Sequence, residues 1–319
     1  TAGVRISSWS AISYSSVTAW EAHGIWLDGS TMTAVSYSTA VNKSSARYGV
    51  YLEGGKNNAF AVIFASNSHA SGTGFYTAGS DTNTVTSSYL GGGQYGADFL
   101  SGSDYNAISL STMIGGNFGF YAIAAASNTV AQSYISGNIF GATLINSSYN
   151  TISLSTMIGA YGLYIGGGSW NSVTQSALWG GTYAAYMTGN AARNIISFST
   201  MTSNSAGNAA LYLYQASSNT ILNSYVQGST AALVSGSTGT YFGGTVFVAT
   251  NTFGSAVAVA SGSVNLTIAT STLFAPSLGR GLALNPGNVG VVSLSSVIFT
   301  GAARGIEIST QGANFSLAV

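Results

Sequence analysis

An asparagine that returns every 21 to 25 residues is the feature that most constrains the fold of this chain. It is clearest in two copies of one segment, Asn106-Ala-Ile-Ser-Leu-Ser-Thr-Met-Ile-Gly and Asn150-Thr-Ile-Ser-Leu-Ser-Thr-Met-Ile-Gly. The series reads Asn58, Asn83, Asn106, Asn128, Asn150, Asn171, Asn194 and Asn219. In most units an apolar residue follows two positions later, and a serine or threonine follows five positions later. A period in the twenties indicates an array of stacked supersecondary units.

Short apolar segments within each unit predict strands rather than helices. Apolar residues recur at spacing two, as in Gly162-Leu163-Tyr164-Ile165, over segments that are too short for helices. β-branched and aromatic residues fill them, and Gly, Ser and Asn separate them. Because equivalent strands of successive units would stack at roughly 4.8 Å, we predict an all-β parallel solenoid. It would form one domain over residues 1–319, with about 14 coils of about three short strands each.

The asparagine series is interpreted as a structural ladder. An asparagine at a bend can satisfy backbone groups that the sheet leaves unpaired, and stacked side-chain amides can bond to one another along the axis. We therefore assign these asparagines to stability and not to catalysis.

The repeat resembles a known family. The pattern Gly-apolar-x-apolar, then about six residues, then Asn-x-Ile-x-x-Ser is similar to the repeat of the pectate-lyase-like right-handed β-helices. The resemblance covers essentially the whole chain and implies right-handed winding, which the general chirality of parallel crossovers also favours. Enzymes of this family use clustered carboxylates, or a cationic base with bound calcium, on one sheet face. Because no such cluster stands out, we expect a non-enzymatic member without catalytic, metal or cofactor-binding residues.

Charge and cysteine content exclude several classes of function. Seven Lys or Arg balance seven Asp or Glu in 319 residues, so the chain lacks the basic stripe that nucleic-acid binding needs. There is no cysteine, hence no disulfide. No apolar run approaches the roughly 20 residues of a membrane span. An extracellular or cell-surface location is inferred from the fold, the Ser, Thr and Asn content and the resemblance.

The few ionisable residues fall into short columns of the repeat. Arg5, Asp28 and Glu53 share one column, Lys56, Asp81 and Asp104 share a second, and Arg280 and Arg304 share a third, with Glu307 close by. Stacked carboxylates could form an acid/base couple or a weak cation site. The alternative, which we favour, is surface ion pairing. The two histidines, His23 and His69, are expected at solvated loop positions.

An aromatic column seven positions before the asparagine is the most suggestive functional feature. Its members are Trp26, Tyr51, Tyr76, Phe99, Tyr121, Tyr164 and Tyr212. They lie between inward apolar residues and should face outward. An exposed aromatic stripe of this length is expected to contact either a second copy of the chain or a polysaccharide.

Neither Thr1 nor Val319 lies in a polar, atypical capping repeat, so the strand edges at both ends are expected to be open. The leading hypothesis is therefore an extracellular structural protein that assembles head-to-tail with itself into a filament or surface fibre. The alternative is a glycan-binding adhesin or tail-fibre-like module that uses the aromatic column. A polysaccharide lyase or hydrolase is less favoured, as is an ice-binding protein with a ladder of small outward residues.

Overall fold

The computed structural model describes residues 2–43, 46–260, 262–309, 311 and 315–319. It divides the chain into two compact units, Thr1–Gly159 (unit 1) and Ala160–Val319 (unit 2). All regular secondary structure among the described residues is β-strand. Among these residues there is no helix long and apolar enough to cross a lipid bilayer. One expectation about the chain ends rests on Thr1, which lies outside the described residues.

Each coil contains three kinds of strand. A narrow strand follows the repeat asparagine, a side strand begins about six residues after it, and a face strand completes the coil. In unit 1 the narrow strands are Ala11–Ser13, Ala34–Ser36, Ala59–Ala61, Thr84–Thr86, Ala107–Ser109, Thr129–Ala131 and Thr151–Ser153. The side strands are Ser16–Ala19, Thr39–Asn42, Phe64–Asn67, Tyr89–Gly92, Thr112–Gly115 and Tyr134–Gly137. The face strands are Ala2–Ile6, His23–Asp28, Tyr48–Glu53, Thr73–Ala78, Tyr95–Phe99, Phe118–Ile123 and Phe140–Ile145.

Unit 2 repeats the arrangement. Its narrow strands are Ser172–Thr174, Ile195–Ser197, Thr220–Leu222, Tyr241–Gly243, Val264–Ala269, Val289–Ser295 and Phe315–Ala318. The side strands are Thr200–Ser203, Tyr225–Gly228, Val246–Ala249, Thr272–Phe274 and Ile298–Thr300, and the face strands are Ala209–Tyr214, Thr230–Ser235, Ser255–Val259, Arg280–Leu284 and Arg304–Ile308. In Thr156–Gly166 and Ala177–Thr188 the side and face strands are continuous.

Strands of one kind pair in parallel with their equivalents in the next coil, which confirms the predicted all-β parallel solenoid. Val85, for example, lies opposite Phe60 on one side and Ile108 on the other. All three side chains are almost fully buried. Inward columns of this kind form the core of each unit, and each buried member contributes about 1.5 to 3 kcal/mol.

The repeat asparagines are buried and bonded along the axis. In unit 1 the Asn83 Oδ1 accepts hydrogen bonds from both the backbone N–H and the side-chain amide of Asn58, each at 2.9 Å. Asn106 repeats both contacts with Asn83, and its own amide donates to the Ser80 carbonyl at 2.7 Å. In unit 2, Asn194 and Asn219 form the same pair of bonds. The ladder satisfies buried backbone groups at the bend that precedes each narrow strand.

A corner with an extra residue changes the register of the preceding face strand in unit 1, and the same change occurs in unit 2. Tyr76 precedes its asparagine by seven positions, whereas Asp98 precedes Asn106 by eight. The extra residue is absorbed in a turn in which the Ser103 N–H donates to the Leu100 carbonyl at 3.0 Å. The strand therefore pairs Asp98 with Tyr76.

The shifted register turns Phe99 inward, so its assignment to the outward column is wrong. Phe99 is 1% exposed, and its ring lies 5.2 Å from that of Phe120 in the core. Unit 2 has the same insertion, with the Ala191 N–H donating to the Thr188 carbonyl at 3.1 Å. There it turns Met187 inward and places Tyr186 in the outward column.

Candidate functional site

The face strands of unit 1 carry two outward columns of side chains, which we call the aromatic face of unit 1. The first column is His23, Tyr48, Thr73, Tyr95, Phe118 and Phe140, and the second is Trp26, Tyr51, Tyr76, Asp98, Tyr121 and Thr143. A glycine often separates the columns, because the side strand passes closely behind it. A Cβ on Gly74 would lie 2.5 Å from the backbone nitrogen of Gly91.

The rings of this face are half-buried because they stack on one another. Tyr95 and Phe118 have ring centroids 4.9 Å apart with planes 18° apart, and Phe118 and Phe140 are 5.1 Å and 13° apart. Parallel rings this close overlap face to face in an offset stack. The ring faces are therefore largely covered by neighbouring rings, and the predicted exposed stripe consists of half-buried rings.

The most exposed aromatic side chains lie outside this face, at turns. Trp9 and Tyr14 are 75% and 81% exposed, and Tyr105 is 66% exposed. All three have positive φ, between 50° and 58°. They provide aromatic residues that can be changed without touching the aromatic face.

Asp98 lies in a gap between two groups of rings on this face. It is 6% exposed, and its Oδ1 has no hydrogen-bond partner. Tyr76 and Tyr121 are its neighbours in the column. Burial raises the pKa of Asp98 to about 7. Burial, and then the charge of Asp98, raises the pKa of Tyr95 to about 12. A buried carboxyl between two tyrosines, with a pKa raised towards neutrality, is a candidate for a functional role.

His23 also lies beneath the rings, and its assignment to a solvated loop position is wrong. It begins a face strand, is 4% exposed, and stacks on Tyr48 with centroids 4.9 Å apart. Burial lowers its pKa to about 4, with smaller effects from Arg47 and the N-terminal charge. His23 Nδ1 and Trp26 Nε1 have no hydrogen-bond partner. The aromatic face of unit 1 therefore covers several unsatisfied polar atoms.

Unit 2 has its own aromatic face, composed of tyrosines: Tyr161, Tyr164, Tyr183, Tyr186, Tyr212 and Tyr214. Tyr186 and Tyr212 stack with centroids 5.1 Å apart and planes 8° apart. Burial raises the pKa of Tyr183 and of Tyr212. The segment 161–214 contains no acid and no histidine. The phenol groups of this face are therefore not accompanied by an acid or a histidine from the same segment.

The columns of acids serve structural contacts. Lys56 Nζ lies 3.2 Å from Asp81 Oδ2. Asp81 Oδ1 accepts the Asp104 N–H at 3.2 Å, and Asp104 Oδ1 accepts the Ala126 N–H at 2.6 Å. Each carboxylate therefore bonds to the backbone of the next coil.

Two further groups of charged side chains form surface ion pairs. Arg5 pairs with Asp28, although the register places Arg5 in the column of Trp26 rather than that of Asp28. Glu307 pairs with Arg280 at 2.9 Å and also with Arg304. These contacts agree with the favoured interpretation as ion pairs.

Six of the seven aromatic residues assigned from the sequence lie on the two faces, and Phe99 does not. The sequence count missed Asp98 and Tyr186 because it started from the asparagine, beyond the inserted residue. Counting two residues on from Gly96 or Ala184 would have found both, as the same count from Gly74 finds Tyr76. Buried Asp98 and His23 had no signal of their own in the sequence.

Comparisons with known proteins agree with this architecture. Residues 2–157 match the family model described as a right handed beta helix region, and residues 100–272, more than half of the chain, match the model described as periplasmic copper-binding protein (NosD). The chain belongs to the NosD family. Both models confirm the resemblance to right-handed β-helix proteins. No curated protein matches the chain in sequence.

Solved structures share the fold of this NosD-family chain at low sequence identity. The A-module of the mannuronan C-5 epimerase AlgE4 from Azotobacter vinelandii has a TM-score of 0.64 and 12% identity, covering 98% of this chain and 90% of its own. PfbA, a surface adhesin of Streptococcus pneumoniae, has a TM-score of 0.56 and 10% identity, covering 91% and 85%. The AlgE6 A-module from Azotobacter vinelandii has a TM-score of 0.51 and 10% identity, covering 97% and 89%.

The described residues do not fit the copper site that the family description implies. They include no group of three or more His, Cys, Asp or Glu side chains that could hold a metal. His23 is stacked among rings, and the Nδ1 of His69 accepts the Ser71 N–H at 3.2 Å. Met113 and Met157 are fully buried in the core. We therefore derive no copper chemistry for this chain.

The expectation that the chain is not an enzyme is wrong, because neither its fold nor its sequence supports that exclusion. It rested on the missing cluster of carboxylates, yet the fold is shared with the AlgE4 module, which is an epimerase. It also overlooked Asp98, whose environment was not visible in the sequence.

Proposed function

We propose that this NosD-family chain is an envelope or extracellular protein that binds polysaccharide along the aromatic face of unit 1. One observation carries the proposal: rings and phenol groups continue in two columns through successive coils, interrupted by Thr73 in the first column and by Asp98 in the second. The repeat of roughly 4.8 Å between coils is close to the length of one pyranose unit, so a chain of sugars could meet equivalent groups at each step. The family description and the surface adhesin PfbA support the location, and the mannuronan epimerase supports the ligand class.

Stacked rings determine how the sugar would be held. Their faces are largely used by neighbouring rings, so a bound chain would contact ring edges and accept or donate hydrogen bonds at the phenol groups. Specificity would therefore depend on the tyrosine hydroxyls as well as on apolar area.

The proposal is tested by affinity electrophoresis in gels that contain alginate, pectin, xylan or glucomannan. The wild type should be retarded by at least one polymer. The double variant Tyr76→Phe/Tyr121→Phe keeps the ring stack and should bind at least tenfold more weakly, and Tyr76→Ala/Tyr121→Ala should bind more weakly still. Tyr105→Ala, which removes an exposed tyrosine outside the face, should migrate as the wild type. Retardation by no polymer, or equal retardation of all variants, would refute the proposal.

A specific observation favours a second candidate function, chemistry on the bound polysaccharide. The raised pKa of Asp98 allows its carboxyl to give up or accept a proton near neutral pH. Incubation of the protein with the retained polymer, followed by chromatography of products and NMR of the sugar residues, measures lyase, hydrolase and epimerase activity together. Asp98→Asn should abolish the change while gel retention persists. An unmodified polymer would leave the chain as a binding protein.

Head-to-tail assembly with a second copy of the chain stays a prediction. Electron microscopy of concentrated protein should show fibres if it is correct, and strictly monodisperse particles would contradict it.

A further inference from the structure

A surface groove in unit 2 lies outside the aromatic face to which the proposed function is assigned. It lies where face and side strands meet and has a volume of about 330 Å³. Its lining includes Asn204, Ser205, Gln227, Ser229, Thr250 and Asn251. None of them belongs to the aromatic face of unit 1.

Differences in corner length between successive coils form the groove. The corner after Gly228 is a single residue, Ser229, before the next face strand begins at Thr230. In the preceding coil the corner is the five-residue loop 204–208, and in the following coil it is 250–254. The short corner becomes the floor, and the two longer loops become walls. The walls approach each other at one point, where the Asn251 side-chain amide donates to the Ala206 carbonyl at 3.5 Å.

Hydrogen bonds hold the floor and walls in place. Ser229 Oγ donates to the Ala206 carbonyl at 2.8 Å, which fixes the first wall to the floor. The Asn208 N–H donates to Ser205 Oγ at 3.1 Å within that wall. In the second wall the Gly254 N–H donates to the Asn251 carbonyl at 2.8 Å. The groove is therefore pre-formed, which lowers the entropic cost of binding.

Several polar groups in the groove have no partner among the residues that the structure describes. Within that part of the chain the Asn204 side-chain amide and the Thr250 hydroxyl make no hydrogen bond, and Gln227 uses only its Oε1, which accepts from the Tyr225 hydroxyl at 2.7 Å. Amide and hydroxyl groups of this kind can donate and accept at the same time. They match a ligand that carries many hydroxyls.

The electrostatic environment defines the ligand further. No charged side chain and no histidine occurs anywhere between Arg193 and Arg280, and the groove lies within this segment. The Arg280 guanidinium donates to the Phe253 carbonyl at 3.2 Å, on the loop of the second wall, but it does not line the groove and is already paired with Glu307. An anionic sugar would therefore find no cation among the lining residues to offset the loss of its hydration. The Tyr183 hydroxyl lies 3.5 Å from Asn208 Oδ1, so the loop that forms one wall also adjoins the aromatic face of unit 2.

From these observations we infer that the groove of unit 2 is a binding site for an uncharged carbohydrate, with Asn204, Gln227 and Thr250 providing hydrogen bonds. The site differs in position from that on the aromatic face of unit 1. Its test therefore does not depend on the proposed function.

Isothermal titration calorimetry with cellohexaose, maltohexaose, mannohexaose, xylohexaose and, as the charged comparison, hexagalacturonate tests this inference on the full chain. At least one neutral hexasaccharide should bind, and in the Tyr76→Phe/Tyr121→Phe background, which weakens the site proposed in unit 1, hexagalacturonate should bind at least tenfold more weakly than that sugar. Asn204→Ala/Gln227→Ala should weaken binding of the neutral sugar at least tenfold, because two hydrogen-bonding groups are removed.

Two controls separate the groove from other sugar contacts. Gln175→Ala, which removes an exposed amide of unit 2 outside the groove, should bind as the wild type. Tyr76→Phe/Tyr121→Phe in unit 1 should also leave the affinity unchanged. Absence of binding to every neutral hexasaccharide, stronger binding of hexagalacturonate that Asn204→Ala/Gln227→Ala abolishes, or equal affinity of the groove variant for the neutral sugar would each overturn the inference.

Discussion

The aromatic faces of units 1 and 2 rest on the same scaffold but differ in chemistry. In unit 1 the rings cover His23 and Asp98, two titratable groups whose pKa values burial moves in opposite directions. In unit 2 the same positions hold tyrosines, and the neighbouring segment is uncharged. Since the inward columns are alike, stability does not require this difference. Outward positions of the repeat can therefore acquire separate ligand chemistry without changing the fold.

The largest expected effect tests the register on which the comparison depends. Phe99→Ala in unit 1 and Met187→Ala in unit 2 should each lower the free energy of unfolding by about 2 to 5 kcal/mol, because both remove a fully buried side chain. Urea denaturation followed by circular dichroism measures the change.

Tyr121→Ala and Tyr186→Ala are the matched controls for this prediction, since these half-buried rings lie one register position away on the outside. Their cost should be clearly smaller than that of the inward residues. A cost for Phe99→Ala no larger than that for Tyr121→Ala would place Phe99 on the surface and remove Asp98 from the column.

The second prediction concerns the pH dependence that only unit 1 should show. Because the pKa of Asp98 is raised from 3.8 to about 7, the folded state holds this proton more tightly than the unfolded state. Its contribution to stability is therefore greatest below about pH 4 and is lost as the pH rises towards 7. The free energy of unfolding of Asp98→Asn, minus that of the wild type, should therefore increase by on the order of 4 kcal/mol from pH 4 to pH 8.

Denaturation of both proteins across this pH range measures the effect, and Tyr186→Phe in unit 2 is the control, with a difference from wild type that stays constant from pH 4 to pH 8. A constant difference between Asp98→Asn and the wild type would show that Asp98 is not buried in the folded protein.

The sequence predicted the scaffold because the interior of a solenoid repeats. Asn106 bonds to Asn83, and Val85 packs on Ile108. Because every coil needs the same contacts with its neighbours, the same residue types recur at a regular spacing that is visible in the sequence. The site could be predicted only in part. Tyr76 and Tyr121 follow the period, whereas Asp98 depends on one inserted residue in a corner, and its burial depends on rings contributed by other coils. Such contacts between coils leave no mark in the local sequence around an acid.

The third prediction concerns the acid side of the pH range. His23 has a pKa lowered from 6.5 to about 4, so the folded state disfavours its protonation. Its contribution to stability is present above about pH 6.5 and is lost as the pH falls towards 4, by about 1 to 3 kcal/mol. In Asp98→Asn the opposing titration of the Asp98 carboxyl is absent. The free energy of unfolding of this variant should therefore fall as the pH is lowered from 6.5 to 4.

Replacing His23 as well, in His23→Gln/Asp98→Asn, should flatten the profile between pH 4 and pH 8. A double variant that still loses stability between pH 6.5 and pH 4 would assign the acid sensitivity to another group.

The smallest expected effects separate charge from hydrogen bonding in the acid column of unit 1. Lys56→Ala removes only a surface partner of Asp81 and should change the free energy of unfolding by about 0 to 1 kcal/mol. Asp81→Asn should behave similarly, because its amide oxygen can still accept the Asp104 N–H. Asp81→Ala leaves that N–H without its acceptor and should cost more, about 1 to 3 kcal/mol. If Asp81→Asn proved as costly as Asp81→Ala, the charge of Asp81 would be the important property, and a cation or a ligand near this column would have to be considered again.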